Sequence, residues 1–478
     1  MRLVRSSVPA APRHVGRWLL TAVQDDTEVH GGFWANLRAY AGHIGAEIVV
    51  GGFTYQKGLY EDHATRTAAF SPTVAPYLAH ENVQCGSLLF AAKMNILPTA
   101  VRPLSGLETY SRGEWAVFPH AKTQMVSVPQ TGKKHPAHIF TTGTATVPNY
   151  VEKKAGLKAE FHHSLGAALV EDDGERLFVR QISATADGAF QDLDAIVERG
   201  IVTTGHRIEH LTAGDIHREQ IDPEVALAMW GFDVASERIV TEDTLFHTLR
   251  PRSQAIHDLL DFQARNHHRK NDPHFKIKML ARGIDSVEAA VGKAARFARA
   301  VTTDWCQTVI VPSNHNDALV KWLRETDPRD DPANFGYWCV LNAEVHRRIV
   351  AGEADFDIFR WALEQHDANG MRDMVFVPRD GSYIVCQASG GIECALHGDK
   401  GTNGARGGAN NLVRVATRLN LGDAHTPNIL DGVYTAGLCG LLDQGYNVGP
   451  SGWSHTQIIT YPNGKRTLVT LRDGRWRA

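Results

Sequence analysis

The chain has 478 residues, with Lys+Arg 50 against Asp+Glu 53 and a formal net charge of −3. That balance excludes a strongly basic protein that coats nucleic acid through bulk charge, but it leaves room for a nuclease whose metal ions supply positive charge locally. Hydrophobic residues at 43% and charged residues at 22% exclude disorder as the default, and the 24 histidines stand out because histidine is the commonest metal ligand.

Taken in chain order, residues 17–55 read as a strand–helix–strand unit: an apolar run from Trp18 to Val23, helical spacing from Gly32 to Ile44, and a β-rich run from Ala46 to Phe53. Short strand-like runs and turns follow to about residue 200, including a hairpin expected over 165–182 around Asp172–Gly174. From about residue 205 apolar runs end in polar clusters rich in His, Asp and Asn. This is how an α/β scaffold presents a site on loops at strand ends. Residues 286–300 read as an amphipathic helix capped by Ser286, and Asn463–Gly464 marks a closing hairpin. The expected organisation is an N-terminal α/β domain of unread role over 1–200 and a second domain over 201–478. None of the six cysteines forms a CxxC pair, which points to reduced thiols in a cytoplasmic protein. No apolar run is long enough to span a membrane, and the basic N-terminus lacks the apolar stretch of a secretory signal.

The polar clusters are Gly214-Asp215-Ile216-His217, His257-Asp258-Leu259-Leu260-Asp261, Asn314-His315-Asn316-Asp317, Leu396-His397-Gly398-Asp399 and Gly422-Asp423-Ala424-His425. Each is weak alone, because an Asp is as readily a cap and a lone His is more often structural. Five in succession, most of them after an apolar run, are a stronger signal.

This order resembles the calcineurin-like metallophosphoesterases, which carry DxH, GDxxD, GNH(D/E), a lone His and GHxH in that order. The resemblance covers residues 205–478 and implies a four-layer αββα sandwich holding two divalent metals. It implies Asp215, His217 and His425 as ligands of the first metal, Asp258 as the bridge, and Asn314 and His397 as ligands of the second. It also implies that His315 contacts the phosphate or protonates the leaving oxygen. The chain departs from the pattern at three places. His257 replaces the Gly of the second motif, the acidic partner of His315 is displaced to Asp317, and Asp423 stands where the family has His. A carboxylate at 423 can still ligate a hard ion. Oxygen and nitrogen ligands without cysteine favour Mn²⁺, with Mg²⁺ or Fe as alternatives.

Other stretches narrow the resemblance, among them 51-GGFTYQKG-58, 103-PLSGLETYSRGEW-115, 160-EFHHSLGAALVE-171 and 446-YNVGPSGWSH-455. They are similar to phage-encoded DNA-transfer proteins, including first-step transfer proteins, over nearly the whole chain. That implies metal-dependent breakdown of host DNA, with DNA as partner and the host cytoplasm as location. Lys400 and Arg406 in the glycine-rich 398–408 segment, and His267 and His268 in 265-RNHHRKNDPH-274, are candidate phosphate contacts. The expected function is therefore a two-metal phosphodiesterase acting on DNA. A phosphatase or cyclic-nucleotide phosphodiesterase on the same fold, and a non-catalytic transfer or assembly protein, are the alternatives. Homo-oligomerisation is left open.

Overall fold

The computed structural model describes residues 15–56, 59, 68–132, 135–266, 269, 272–353 and 355–478. The first unit is the expected strand–helix–strand. Strand Gly16–Gln24 pairs in parallel with Glu47–Phe53 across helix Gly31–Ile44. The His30 ring caps that helix by accepting the Phe33 amide, and Gly45 ends it in the left-handed region at φ 66°. The expected hairpin also forms: Gly166–Asp172 pairs with Leu177–Ser183 and completes a four-stranded sheet. Alternation sorts the side chains of this sheet. Leu19, Val50 and Leu169 pack with the helix, while Trp18, Val49 and Val170 enter a central core on the other face.

Two larger sheets carry most of the remaining strands. A six-stranded sheet runs in the order Val375–Phe376, Gln307–Ile310, Ser253–Ile256, His210–Thr212, Thr456–Thr460 and Arg466–Thr470. Its first four strands are parallel, and the last two form the antiparallel hairpin around Asn463–Gly464. Ile459 and Val469 pack with helix residues such as Val291 and Leu363, whereas their neighbours Ile458 and Leu468 join Phe140, Ile429 and Tyr434 of the third sheet. One face is thus covered by helices and the other by a sheet. The helix over 286–300 is observed at Val287–Ala300, with the Ser286 hydroxyl accepting the Ala289 amide.

The third sheet has ten strands and crosses residue 200. Ile384–Val385, Ile392–Glu393, Arg418–Leu421, Val433–Thr435 and Asn428–Leu430 continue directly into Met125–Val128, Ala137–Thr141, Trp115–Phe118, Leu88–Phe90 and Val83–Cys85. The joint is the antiparallel pairing of Asn428 and Ile429 with Val126 and Met125. Segments on either side of residue 200 therefore share one sheet and one core. The α/β class read from the sequence is what the chain adopts.

Candidate metal centre

Five loops at the C-terminal ends of strands from both large sheets converge. The loop after His210–Thr212 supplies Asp215 and His217, and the loop after Ser253–Ile256 supplies His257, Asp258 and Asp261. The parallel ladder continues past the strand ends through Ala213 N–H to Ala255 O, Ile216 N–H to His257 O and His217 N–H to Asp258 O, so the two loops are held in register. The loop after Gln307–Ile310 carries Asn314 and His315 at the start of helix Asn316–Glu325. From the ten-stranded sheet, Ile392–Glu393 leads to His397, and Arg418–Leu421 leads to Asp423 and His425. Gly422 permits this last approach, because a Cβ there would lie 2.4 Å from Asp215 Oδ1.

The backbone is strained where the candidate ligands sit. His217, Asp258, Asp423 and His425 have φ of 45°, 42°, 65° and 52°. Each such non-glycine residue costs about 1–3 kcal/mol and persists only where the surroundings enforce it, typically at functional sites.

Asp215, His217, Asp258 and His425 are buried, and each offers one ligand atom such that all four atoms lie within 4.8 Å of one another. His425 Nε2 is 2.9 Å from Asp215 Oδ2, His217 Nε2 is 3.6 Å from Asp258 Oδ2, and the two Nε2 atoms face each other at 3.1 Å. Beside this group, His397 Nε2 lies 3.0 Å from Asn314 Oδ1, 3.3 Å from Asp258 Oδ2 and 3.7 Å from Asp423 Oδ1. Asp258 therefore stands between two sets of donors. Among the described residues no lysine or arginine pairs with Asp215, Asp258 or Asp261. A buried cluster of carboxylates and imidazoles without such a counter-charge fits one or more divalent cations.

Electrostatics agree with a site that wants positive charge. Burial disfavours charge on every member, but the His397 and His315 rings outweigh it and hold the Asp258 carboxyl well below the usual carboxylate range. Burial also opposes charge on His397, yet Asp258 and Asp215 push its pKa up to about 10. His257 stays neutral, lowered to about 4 by burial and by the neighbouring His397, whose Nδ1 is 3.2 Å away.

Asp261 and His257 escaped the sequence reading as site residues. Asp261 accepts from His217 Nδ1 at 3.0 Å, and its carbonyl accepts from His315 Nδ1 at 2.8 Å. A carboxylate on the remote nitrogen of a ligand histidine fixes its tautomer and orientation. The signal was Asp261's position three residues after Asp258. Glu219 in turn accepts the Asp261 and Gln263 amides at 2.8 and 3.0 Å.

Asp317 lies elsewhere than beside the His315 ring. It faces Arg379, whose Nη2 is 2.6 Å from its Oδ2, and the same guanidinium reaches Asp399 Oδ1 at 2.8 Å. The carboxylate adjoining His315 is that of Asp261, 3.7 Å from Nδ1. Lys400 and Arg406 are exposed and face each other across an ordered loop beside His397, closed by Gly401 N–H to Ala405 O and Gly408 N–H to Gly398 O. Gly407 lets that loop close, since a Cβ there would meet Gly398 O at 1.8 Å. His267 and His268 lie outside the described residues. Trp453 packs edge-on against His425 at 4.3 Å between ring centroids, with Tyr446 behind it at 5.7 Å.

No protein-family model matches the chain. Among the described residues no helix is long and apolar enough to cross a membrane. Protein A1 of Escherichia phage T5 is 38% identical over 475 residues, a match that spans 96% of this chain and 82% of that protein. An identity of that size over that length places both in one family, and the chain belongs to the family of phage T5 Protein A1.

Proposed function

We propose that the chain is a two-metal-dependent phosphodiesterase, a phage-type deoxyribonuclease that degrades host DNA in the host cytoplasm. Its catalytic fold would be the four-layer αββα metallophosphoesterase sandwich. The observation that carries the reading is the position of Asp258, with Asp215, His217 and His425 on one side and Asn314 and His397 on the other. Those residues would hold the two ions, Mn²⁺ first, with Asp423 at the rim. When bound, the ions supply Lewis acidity and a water of lowered pKa.

The protein's own groups do the rest. Asp261, accepting from Nδ1, sets the tautomer and orientation of His217 and leaves Nε2 facing Asp258 and His425. His315 is held by the Asp261 carbonyl, and Asp258 and Asp261 raise its pKa against the opposing effect of burial; it would donate a proton to a leaving oxygen. Lys400 and Arg406 offer exposed cations to the flanking phosphates.

The test is hydrolysis of linear and circular duplex DNA with EDTA, Mg²⁺ or Mn²⁺, with Asp258→Asn as control. Cleavage that needs metal and vanishes in the variant is expected. A folded, metal-loaded protein that leaves DNA intact but turns over small phosphomonoesters or cyclic nucleotides would move the assignment to that substrate class.

A further inference from the structure

A second cluster of charge lies at the other end of the strand that leads to Asp423. Arg418 opens strand Arg418–Leu421, so it stands about 16 Å from the metal centre at roughly 3.3 Å per residue. Arg418, Lys465 and Arg466 line one cavity of about 150 Å³ between the closing hairpin and the ten-stranded sheet, together with Thr123, Ser164 and Ser183.

Among the described residues no carboxylate pairs with any of the three cations. Arg418 donates to the carbonyls of Gly391, Ser389 and Gly464 at 3.2, 2.5 and 2.9 Å. Arg466 is buried and donates to the carbonyls of Leu419 and Gly432 at 2.7 Å and to Asn420 Oδ1 at 2.9 Å, with its guanidinium 4.0 Å from the Tyr434 ring centroid. These bonds leave N–H donors on both guanidinium groups unused. The Lys465 ammonium has no partner among the described residues. Asp431, the one described carboxylate lining the cavity, is already paired with Lys122 and has His162 Nε2 at 3.9 Å. Burial, and then the Arg418 charge, push Lys465 down, and burial lowers Arg466 to about 10. Arg466 is buried while Arg418 and Lys465 are half-buried; gathering these cations in a partly desolvated cavity without an anion is costly, and a bound anion reduces the cost.

We propose that Arg418, Lys465 and Arg466 form an anion site, separate from the metal centre, that takes a phosphate group. Three clustered donors with neighbouring hydroxyls match the oxygens of a phosphate better than a planar carboxylate. The group is either free phosphate or a phosphate of a nucleic-acid backbone.

The experiment follows the melting temperature of the full chain in EDTA, in sodium phosphate against sodium chloride of equal ionic strength. Wild type and Lys465→Glu are compared, with Asp258→Asn reporting any contribution from the metal centre. Phosphate at ten times its Kd should raise the Tm of wild type and Asp258→Asn by about 2 °C over chloride. Lys465→Glu should melt above wild type in chloride and ignore phosphate, because its carboxylate supplies the missing anion internally. A dinucleotide added in place of phosphate identifies the source. Protection by it marks a backbone phosphate, and protection by phosphate alone marks a free anion. A Tm that rises equally in chloride, or a phosphate effect that survives Lys465→Glu, overturns the site. Neither result depends on whether the protein cleaves DNA.

Discussion

Asp258 and Asp215 push the His397 pKa up to about 10 against burial, so a divalent ion held as proposed by Asp258, Asn314 and His397 would have to expel a proton from that ring. The Asp258 carboxylate at 3.3 Å attracts that imidazolium by about 5 kcal/mol at an effective dielectric of 20, and Asp215 at 3.8 Å adds to it, against the opposing effect of burial. With the pKa raised to about 10, the ring is charged at pH 7, so ligation there should release about one proton. Apparent metal affinity should climb about tenfold per pH unit from neutrality and level off as pH passes 10. Titration calorimetry at pH 7 in two buffers of different ionisation enthalpy reads the proton count directly. Asp258→Asn is the matched perturbation, because Asn tolerates the left-handed backbone that Asp258 adopts at φ 42°. In that variant ¹⁵N shifts of the metal-free protein should show His397 titrating nearer neutrality. Proton release should shrink, and metal affinity should fall by about 100-fold or more. A wild type that binds metal at pH 7 without releasing a proton would refute the reasoning.

His138 is fully buried, stacked on Trp115 at 4.5 Å, and burial lowers its pKa to about 3. Stability should hold above the ordinary value of 6.5 and fall by about 1.4 kcal/mol per pH unit as pH drops from 6.5 towards 3; His138→Phe should flatten that slope in urea titrations. Arg180 joins Glu171 at 2.5 Å and Asp192 at 2.7 Å in the interior, and Asp192 also accepts from Tyr40 at 2.6 Å. Arg180→Met should cost about 3–5 kcal/mol by denaturant unfolding, because it removes the buried cation from Asp192 and Glu171, which keep only weaker compensation from Tyr40 and Arg17. Arg379 ties the loop of Asn314 and His315 to the loop of His397 through Asp317 and Asp399. Arg379→Ala should weaken metal binding about 10- to 100-fold while leaving the melting temperature nearly unchanged, and a loss of stability without loss of metal would contradict that positioning role.

The local elements were legible because their signals are local. The apolar run at Trp18–Val23, the Ser286 cap and the Asn463–Gly464 turn each fix a few residues by short-range rules. Asp215, His217, Asp258 and His425, which the resemblance to metallophosphoesterases implied as ligands, lie together in one buried group. Asp261 was missed as a site residue although its spacing from Asp258 matches the last position of the GDxxD pattern, because its contacts with His217 and His315 form only when the loops pack together. Asp317 was expected beside His315. As the second residue of its helix it faces Arg379, some sixty positions later in the chain. The shared sheet was illegible because pairing between Met125–Val128 and Asn428–Leu430 depends on an encounter that no local pattern announces.

That shared sheet sets the order in which the protein can come into being. His210–Thr212, the strand behind Asp215, has Ser253–Ile256 on one side and Thr456–Thr460 on the other, while Asp423 and His425 hang from a sheet completed by Met125–Val128. A ribosome-bound chain that has emerged only to residue 400 holds the loops of Asp215, Asp258 and Asn314 with the parallel strands behind them, but neither Asp423 nor His425 nor the strands from Arg418 onward. The candidate ligand group needs residues from both large sheets, Asp215, His217 and Asp258 from one and His425 from the other, so it closes only once both sheets have formed.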